Sequence, residues 1–281
     1  MTEQQDPAAR WAQALHRWAI PQPILDAAPE SPWAFPPSLF TLDRAAASPL
    51  TISQRMALTA LEGGGSVLDV GCGGGAASLP LVPPATAVIA VDSAAAMLAD
   101  FATAADVSGR VDVGVGHQEV QGTWPAVAPQ VPGADVAVCH HVVYNVADIA
   151  AFLIALTDHA RRLVVVELTD HHPQASLAPL WERFWGLARP DEPSADLLID
   201  VVTDLGYRPT VRRTHRPPRK TGSDRATYVA FVRRRLCLTP DRDPDIDVAL
   251  EAAGHGADTT IVSVAWSPPG RPTVAQLRSV T

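Results

Sequence analysis

The sequence has little positive charge and few cysteines. Its 22 lysine and arginine residues face 30 aspartates and glutamates, which gives a formal net charge of −8. A nucleic-acid surface needs concentrated positive charge, and the basic runs here are short, so nucleic acid is not an expected partner. The three cysteines, Cys72, Cys139 and Cys237, are odd in number and far apart. They fit neither a disulfide framework nor a metal-binding pair such as C-x₂-C.

Long hydrophobic runs and targeting segments are also missing. Residues 1–21 carry charged side chains and no apolar core of a signal peptide. No stretch of 18 apolar residues occurs, so no contact with a membrane is expected. Hydrophobic residues nevertheless make up 47% of the 281 residues, enough for one large domain with a sizeable core. We expect a cytoplasmic protein with reduced thiols, and nothing here indicates its oligomeric state.

Short apolar runs rich in β-branched residues alternate with helical stretches in the middle of the chain. Continuously apolar strands separated by helices are typical of a parallel sheet that is buried on both faces. Right-handed crossovers then give a doubly wound α/β fold. The strands that this pattern predicts are 66–70, 87–91, 111–115, 135–139 and 163–168, with helices over 53–61, 94–105 and 146–160.

The pattern loosens after residue 168. Further elements predicted there are helices over 174–188, 194–205, 223–236 and 243–253 and strands over 209–216 and 259–266. A strand over 228–238 is the alternative to the third of these helices. We expect the last strand to lie antiparallel between the fifth strand and strand 209–216, with segments 171–193 and 222–256 as helical insertions. The arginines at 233–235 are interpreted as a solvated helix face.

The N-terminal segment is predicted to form a helix over 7–20 and then an arm over 21–40. Its many prolines argue against regular structure, while Trp33, Phe35 and Phe40 need an apolar surface to cover. We expect the arm to close as a lid over a cleft. Residues 1–47 are therefore separated from a main domain over 48–281.

The most informative segment is residues 67–76, which read Val-Leu-Asp-Val-Gly-Cys-Gly-Gly-Gly-Ala. An apolar strand leads directly into glycines, which allow a sharp turn and the close approach of a ligand. The helix N-terminus expected after them favours anionic atoms. Asp92 comes 21 residues after Gly71, at the end of the second strand. A carboxylate there can accept hydrogen bonds from both hydroxyls of a ribose.

Two cofactor classes fit this loop. The spacing of Gly71, Gly73 and Ala76 also satisfies the dinucleotide fingerprint, so an NAD(P)-dependent oxidoreductase is one alternative. Asp69 argues against it, because a fixed negative charge would repel a pyrophosphate bound at the loop. The same charge favours a ligand that carries a sulfonium and an α-ammonium group. That ligand is S-adenosylmethionine.

The chain resembles the class I S-adenosylmethionine-dependent methyltransferases over residues 66–168. Residues 67–75 are similar to their first motif, 88–93 with 97–98 to the segment after it, and 135–146 to their fourth-strand motif. The resemblance implies a Rossmann-like seven-stranded sheet and S-adenosyl-L-methionine as cofactor. It also implies methyl transfer to a small or medium organic substrate. A regulatory protein that binds S-adenosylmethionine without activity is a second alternative.

The resemblance also implies the cofactor contacts. Asp69 would lie near the amino group of the methionine part, and Asp92 would hold the ribose hydroxyls. Many relatives place an acidic residue for the adenine amine where this chain has Val120, so Glu119 or Gln121 would take that role. The full set of cofactor-binding residues implied is Asp69, Gly71, Cys72, Gly73, Asp92, Ser93, Met97, Glu119, Gln121 and His140.

Four histidines follow two of the predicted strands, where ligands bind in an open α/β sheet. They form the pairs His140 with His141 and His171 with His172. A neutral imidazole can take a proton from a substrate near pH 7, and His141 and His171 are the candidate bases. Tyr144 either positions the substrate or is a half-buried core residue. Metal binding and purely structural roles are alternatives for the histidines, but no metal is expected, and alignment alone can also catalyse the transfer.

Overall fold

The computed structural model describes residues 6–33, 49–107, 116–216, 225–252 and 259–270. Within these residues, seven strands form a single sheet. The strands are β1 (Gly65–Val70), β2 (Ala85–Asp92), β3 (Gly116–Gln121), β4 (Ala134–His140), β5 (Ala160–Thr169), β6 (Thr210–Arg216) and β7 (Thr259–Trp266).

The sheet has the order β3-β2-β1-β4-β5-β7-β6. Strands β1 to β5 pair in parallel, and β7 lies antiparallel between β5 and β6. This arrangement confirms the predicted seven-stranded Rossmann-like fold and the predicted position of the last strand. The strand order reverses between β1 and β4, and in such sheets the ligand site lies outside the carboxyl ends of the strands at that point.

Helices cover both faces of the sheet. They are α1 (Pro7–Trp18), α2 (Gln22–Ala27), α3 (Ile52–Ala60), α4 (Ala95–Val107), α5 (Ile149–His159), α6 (Ala178–Trp185), α7 (Ala195–Asp204), α8 (Arg225–Arg235) and α9 (Asp243–Ala252). Several helices begin at a side chain that accepts a hydrogen bond from a backbone N–H of the first turn. Thr51 caps α3, Asp148 caps α5 and Ser194 caps α7. None of the helices in the described ranges is long and apolar enough to cross a membrane.

The proline-rich arm contains a helix, so the prediction that it lacks regular structure is wrong at Gln22–Ala27. Pro21 directly precedes this helix and Pro23 lies in its first turn. N–H groups in the first turn have no partner inside the helix, so a proline there removes no hydrogen bond. Phe35 and Phe40 lie outside the described residues, and Trp33 is 54% exposed.

The third strand occurs at Gly116–Gln121, while the predicted strand 111–115 lies outside the described residues. β3 pairs with β2 alone and forms one edge of the sheet. Its residues are exposed or half-buried. An edge strand needs no continuous apolar run, and the sequence Gly-His-Gln-Glu-Val-Gln has none. Hydrophobicity therefore could not reveal it.

The segment between β6 and β7 forms the two predicted helices. α8 covers Arg225–Arg235, which excludes the alternative strand over 228–238. α8 and α9 pack against α2 and α6 in an apolar cluster whose buried members include Trp181, Val232 and Ile246. We call helices α2, α6, α8 and α9, together with residues 18–20, the outer cluster.

The arginines of α8 do not form a solvated face as predicted. The Arg233 side chain is only 11% exposed and binds Glu30 at 3.0 Å and Asp243 at 2.9 Å. Arg234 binds the other oxygen of Glu30 at 2.9 Å. These ion pairs tie the segment after α2 to α8. Glu30 and Arg233 are 203 residues apart in the sequence, so helical periodicity alone could not indicate their pairing.

Helix α1 packs on the main body of the protein. Trp11 is fully buried, donates its indole N–H to the carbonyl of Val146 at 2.9 Å, and stacks on Tyr144 at 5.5 Å between ring centroids. The helix also contacts α5 and α7. The division of the chain at residue 47 stays a prediction.

Candidate active site

The turn after β1 is closed on one side and open on the other. Gly71 has φ +73°, and a Cβ added there would lie 2.2 Å from Cγ2 of Val142. The N–H groups of Gly71 and Cys72 donate to the carbonyl of Val91 at 2.8 Å and 3.1 Å, which fixes the turn against β2. Gly73 has φ +50°, and a Cβ there would meet nothing within 4 Å. The fold therefore requires glycine at 71 and leaves open space at 73.

Asp69 is buried and half satisfied. Its Oδ2 accepts a hydrogen bond from the Ser78 hydroxyl at 2.6 Å. Its Oδ1 is buried without a hydrogen-bond partner among the described residues. Burial, with a smaller contribution from the charge of Asp92, raises the pKa of Asp69 to about 7. A buried carboxylate oxygen without a donor is costly. A cationic N–H donor on a ligand would satisfy it.

Asp92 connects the glycine turn to the end of β2. Its Oδ2 accepts the N–H of Gly73 at 3.1 Å and its Oδ1 accepts the N–H of Ala94 at 2.9 Å. Each carboxylate oxygen can accept a second hydrogen bond. Both oxygens are thus held in place and still have lone pairs for a pair of ribose hydroxyls.

The residues expected beside adenine lie at the next strand end. Gln121 is opposite Asp92 in the β2–β3 register, and its amide donates to the carbonyl of Ser93 at 3.4 Å. Met97, in the first turn of α4, is a large exposed apolar side chain. Glu119 is engaged elsewhere, because His117 Nδ1 lies 2.6 Å from its Oε1. Of the two candidates for binding the adenine amine, Gln121 is the one that lies next to Ser93.

The ends of β4 and β5 bring His140, His141 and Glu167 together. His140 pairs with Glu167 in the β4–β5 register. The Nε2 atom of His140 is buried without a hydrogen-bond partner in the described ranges. Burial lowers the pKa of His140 to about 4, which keeps its imidazole neutral at pH 7.

Glu167 is a functional candidate that the sequence analysis missed. Its side chain is only 3% exposed, and three elements direct polar groups at it. His141 Nε2 lies 3.2 Å from Oε1, Arg216 Nη2 lies 3.7 Å from the same oxygen, and the Ser53 hydroxyl of α3 donates to Oε2. Burial raises its pKa, but the His141 hydrogen bond and the other partners outweigh burial and bring it to about 2. The available signal was a lone carboxylate inside the run Val-Val-Val-Glu-Leu.

His141 is held in an unusual conformation. Its φ is +61°, which few residues other than glycine adopt. Its backbone N–H donates to the carbonyl of Glu167 at 2.7 Å, and its imidazole is 40% exposed. Because Nε2 faces a carboxylate, Nε2 carries the proton in the neutral ring and Nδ1 is the free acceptor.

The second histidine pair, of which His171 was the candidate base, has different surroundings. His171 is largely exposed, with Nε2 3.9 Å from Asp170. His172 stacks on Trp18 with 4.0 Å between centroids, and burial lowers its pKa to about 4. No group of three or more potential metal ligands occurs in the described parts of the chain.

Tyr144 is built into the core. Its hydroxyl donates to the carbonyl of Thr169 at 2.7 Å, and its ring lies between Trp11 and His172. Burial, reinforced by Asp170, raises its pKa far above the usual value. This geometry favours the core interpretation of Tyr144 over substrate positioning.

The profile of a protein family described as methyltransferase domain matches residues 43–207. No curated protein matches the chain. YcgJ from Bacillus subtilis has a similar structure, with a TM-score of 0.53 and 14% identity over 78% of this chain and 99% of that one. A SAM-dependent methyltransferase from Geobacter sulfurreducens in complex with S-adenosyl-L-homocysteine gives a TM-score of 0.52 and 16% identity over 83% and 98%. At these identities the structural likeness concerns the fold.

Proposed function

The chain belongs to the methyltransferase-domain family and is an S-adenosylmethionine-dependent methyltransferase, and we propose that its methyl acceptor is a small or medium organic molecule that binds beside His141. The oxidoreductase and the inactive binding protein have no support from the family match. The net charge of −8 disfavours nucleic acid as the acceptor. Three free, buried cysteines support a reducing compartment such as the cytoplasm.

The residues at the glycine turn fit the cofactor. The unpartnered Oδ1 of Asp69 suits an ammonium group, the two oxygens of Asp92 suit a pair of hydroxyls, and the space at Gly73 admits a ligand. When bound, S-adenosylmethionine supplies an electrophilic methyl group on a sulfonium. We propose that Asp69, Gly71, Cys72, Gly73 and Asp92 hold its methionine and ribose parts.

Three residues complete the proposed cofactor site around adenine. Ser93 and Gln121 lie at the ends of β2 and β3, and the exposed Met97 in the first turn of α4 offers an apolar contact to a planar base. Glu119 is the less suitable partner for the adenine amine, because His117 already binds it. His140 lies at the strand end near the methionine part, where its neutral ring adds no positive charge beside a sulfonium.

The contact between His141 Nε2 and Glu167 Oε1, at 3.2 Å, carries the proposal for the acceptor. The carboxylate orients the imidazole with the proton on Nε2, so Nδ1 faces away from Glu167 as a proton acceptor. His141 takes the proton from an acceptor hydroxyl or amine as the methyl is transferred, and Glu167 stabilises the imidazolium that forms. Glu167 is therefore a positioning residue and His141 the catalytic base. His171, which has no comparable partner, is the less suitable base.

The test of this function is production of S-adenosylhomocysteine from S-adenosylmethionine with a panel of phenols, amines and hydroxy acids. With an acceptor found in this way, His141→Ala is expected to lower kcat by about 100-fold, a typical contribution of general base catalysis. His171→Ala is the matched control and retains activity. Equal activity of the wild-type protein and His141→Ala would contradict the assignment of the base.

A further inference from the structure

Arg189, between α6 and α7, is a half-buried cation that forms no ion pair with any of the described residues. Its guanidinium lies 4.1 Å above the centroid of Trp181 and 5.6 Å from that of Trp18. Nη1 donates to the carbonyls of Trp18 and Ala19 at the end of α1, at 3.3 Å and 3.2 Å. Nε and Nη2 are buried and have no hydrogen-bond partner in the described ranges. Nη1 of Arg189 therefore makes hydrogen bonds within the protein, whereas Nε and Nη2 make none with the described residues.

The absence of an ion pair among the described residues distinguishes Arg189 from a comparable arginine in the outer cluster. Arg233 is similarly enclosed, but it binds Glu30 and Asp243. Among the described residues, no carboxylate lies within ion-pair distance of Arg189, and burial lowers its pKa. Stacking on indole rings stabilises the charge of a guanidinium but gives its in-plane N–H groups no acceptor. Two buried donors without acceptors would be costly unless a ligand supplies them.

The free edge of Arg189 has a specific shape. Nε–H and one N–H of Nη2 point in parallel, which is the fork that binds the two oxygens of a carboxylate. The indole N–H of Trp181, on whose ring the guanidinium stacks, is a third buried donor without a partner among the described residues. All three donors require an acceptor, and their surroundings are aromatic.

The cluster also adjoins the proposed active site. Trp18 stacks on His172, whose ring lies 5.4 Å from that of Tyr144. Tyr144 and His172 follow the same two strand ends that carry His141 and Glu167. His172 is neutral at pH 7, because burial lowers its pKa to about 4. Among the described residues, Arg189 is therefore a cation next to the strand ends with N–H groups left for an anion.

We propose that Arg189 and Trp181 form a subsite for a carboxylate group on the methyl acceptor. The inference rests on the proposed function, since the acceptor must also reach His141. The bidentate edge of Arg189 binds the two carboxylate oxygens, and the indole N–H of Trp181 is a further donor to them. The subsite thus selects anionic acceptors over neutral ones of the same shape.

The experiment uses the full chain saturated with S-adenosylhomocysteine and titrated with benzoate, benzamide and phenyl phosphate. Binding is measured by calorimetry, and the Trp181 indole and Arg189 Nε–H signals are followed by ¹⁵N NMR. Benzoate should bind and shift both signals, while benzamide should not bind. Arg189→Gln should weaken benzoate binding at least tenfold. Arg183→Gln, on the helix that carries Trp181, is the control, because the Arg183 guanidinium stacks on Phe184 and is well exposed.

Three results would overturn the proposal: no benzoate binding to the wild-type protein, equal binding to Arg189→Gln, or tighter Arg189-dependent binding of phenyl phosphate. If Arg189→Gln does not fold, Arg189→Lys keeps the charge and loses the fork, and Trp181→Phe keeps the ring and loses the donor. Weaker benzoate binding by either variant supports the subsite, and unchanged binding by both overturns it. The separate titration with S-adenosylhomocysteine shows whether the proposed function itself has failed.

Discussion

The glycine-turn region and the outer cluster are organised by different kinds of contact. In the first, backbone groups of neighbouring strands meet, as when the N–H groups of Gly71 and Cys72 donate to Val91. In the second, side chains join distant segments: Trp18 donates to the carbonyl of Glu192 at 2.8 Å, and Trp185 donates to that of Leu236 at 2.7 Å. Local backbone geometry leaves a pattern in the sequence, whereas a pairing across 174 residues does not.

The largest expected effect tests the backbone requirement of the glycine turn. Gly71→Ala places a Cβ 2.2 Å from Val142 at a positive φ, so overpacking and backbone strain add. We expect a loss of about 3–5 kcal/mol in the free energy of unfolding, measured with urea. Gly73→Ala is the control, because a Cβ there meets nothing within 4 Å. Equal losses for the two variants would show that the turn is not fixed by close packing.

The next prediction concerns Glu167. Its partners lower its pKa from 4.5 to about 2, so it contributes stability that is fully present above pH 4.5 and is lost as the pH falls from 4.5 towards 2. The whole contribution of Glu167 to the free energy of unfolding is about 3 kcal/mol, since a shift of one pKa unit corresponds to about 1.4 kcal/mol. In Glu167→Gln this part of the acid dependence should disappear. Unfolding free energies measured at pH 6, 4 and 3 should show a shallower decline in the variant, and parallel curves would contradict the ion-pair assignment.

The affinity for the cofactor should depend on pH around pH 7, because of Asp69. Burial raises its pKa to about 7, so the folded protein without ligand loses stability as the pH rises from 3.8 to 7. An ammonium ligand favours the ionised carboxylate. The affinity for S-adenosylhomocysteine should therefore increase about tenfold between pH 6 and pH 8. Calorimetry at these two values should find Asp69→Asn weaker and insensitive to pH, and an equally steep wild-type and variant response would exclude Asp69 as the cause.

The smallest expected effect lies in the outer cluster. Trp18→Phe keeps a ring on His172 and removes the donor to Glu192. The loss of one hydrogen bond should lower the free energy of unfolding by about 1 kcal/mol and leave S-adenosylhomocysteine binding unchanged. Trp33→Phe, at an exposed position, is the matched control and should change neither quantity. Weaker cofactor binding in Trp18→Phe would show that the two regions are coupled.

The sequence was informative where burial and backbone chemistry leave a local pattern. The apolar runs predicted β1, β4 and β5, and the glycines after β1 predicted the turn that Asp69 and Asp92 flank. The polar edge strand β3 and the helix α2 were not predictable in this way, since one lacks an apolar run and the other lies among prolines. Both depend on what the rest of the fold provides.

Side chains whose role depends on distant partners were harder to assign. Glu167 becomes a candidate only when Ser53, His141 and Arg216 are brought around it. Arg189 becomes a candidate only because two of its nitrogens lack acceptors. No spacing in the sequence indicates either arrangement, because each combines residues from three or more separate elements.

A crystal structure with S-adenosylhomocysteine tests the central claim most directly, namely that the cofactor lies at the glycine turn and satisfies its buried acceptor. The predicted result places the amino group of the ligand within hydrogen-bond distance of Asp69 Oδ1 and both ribose hydroxyls on Asp92. A ligand bound at another edge of the sheet would contradict the claim. So would a ligand at the turn that leaves Asp69 Oδ1 without a donor.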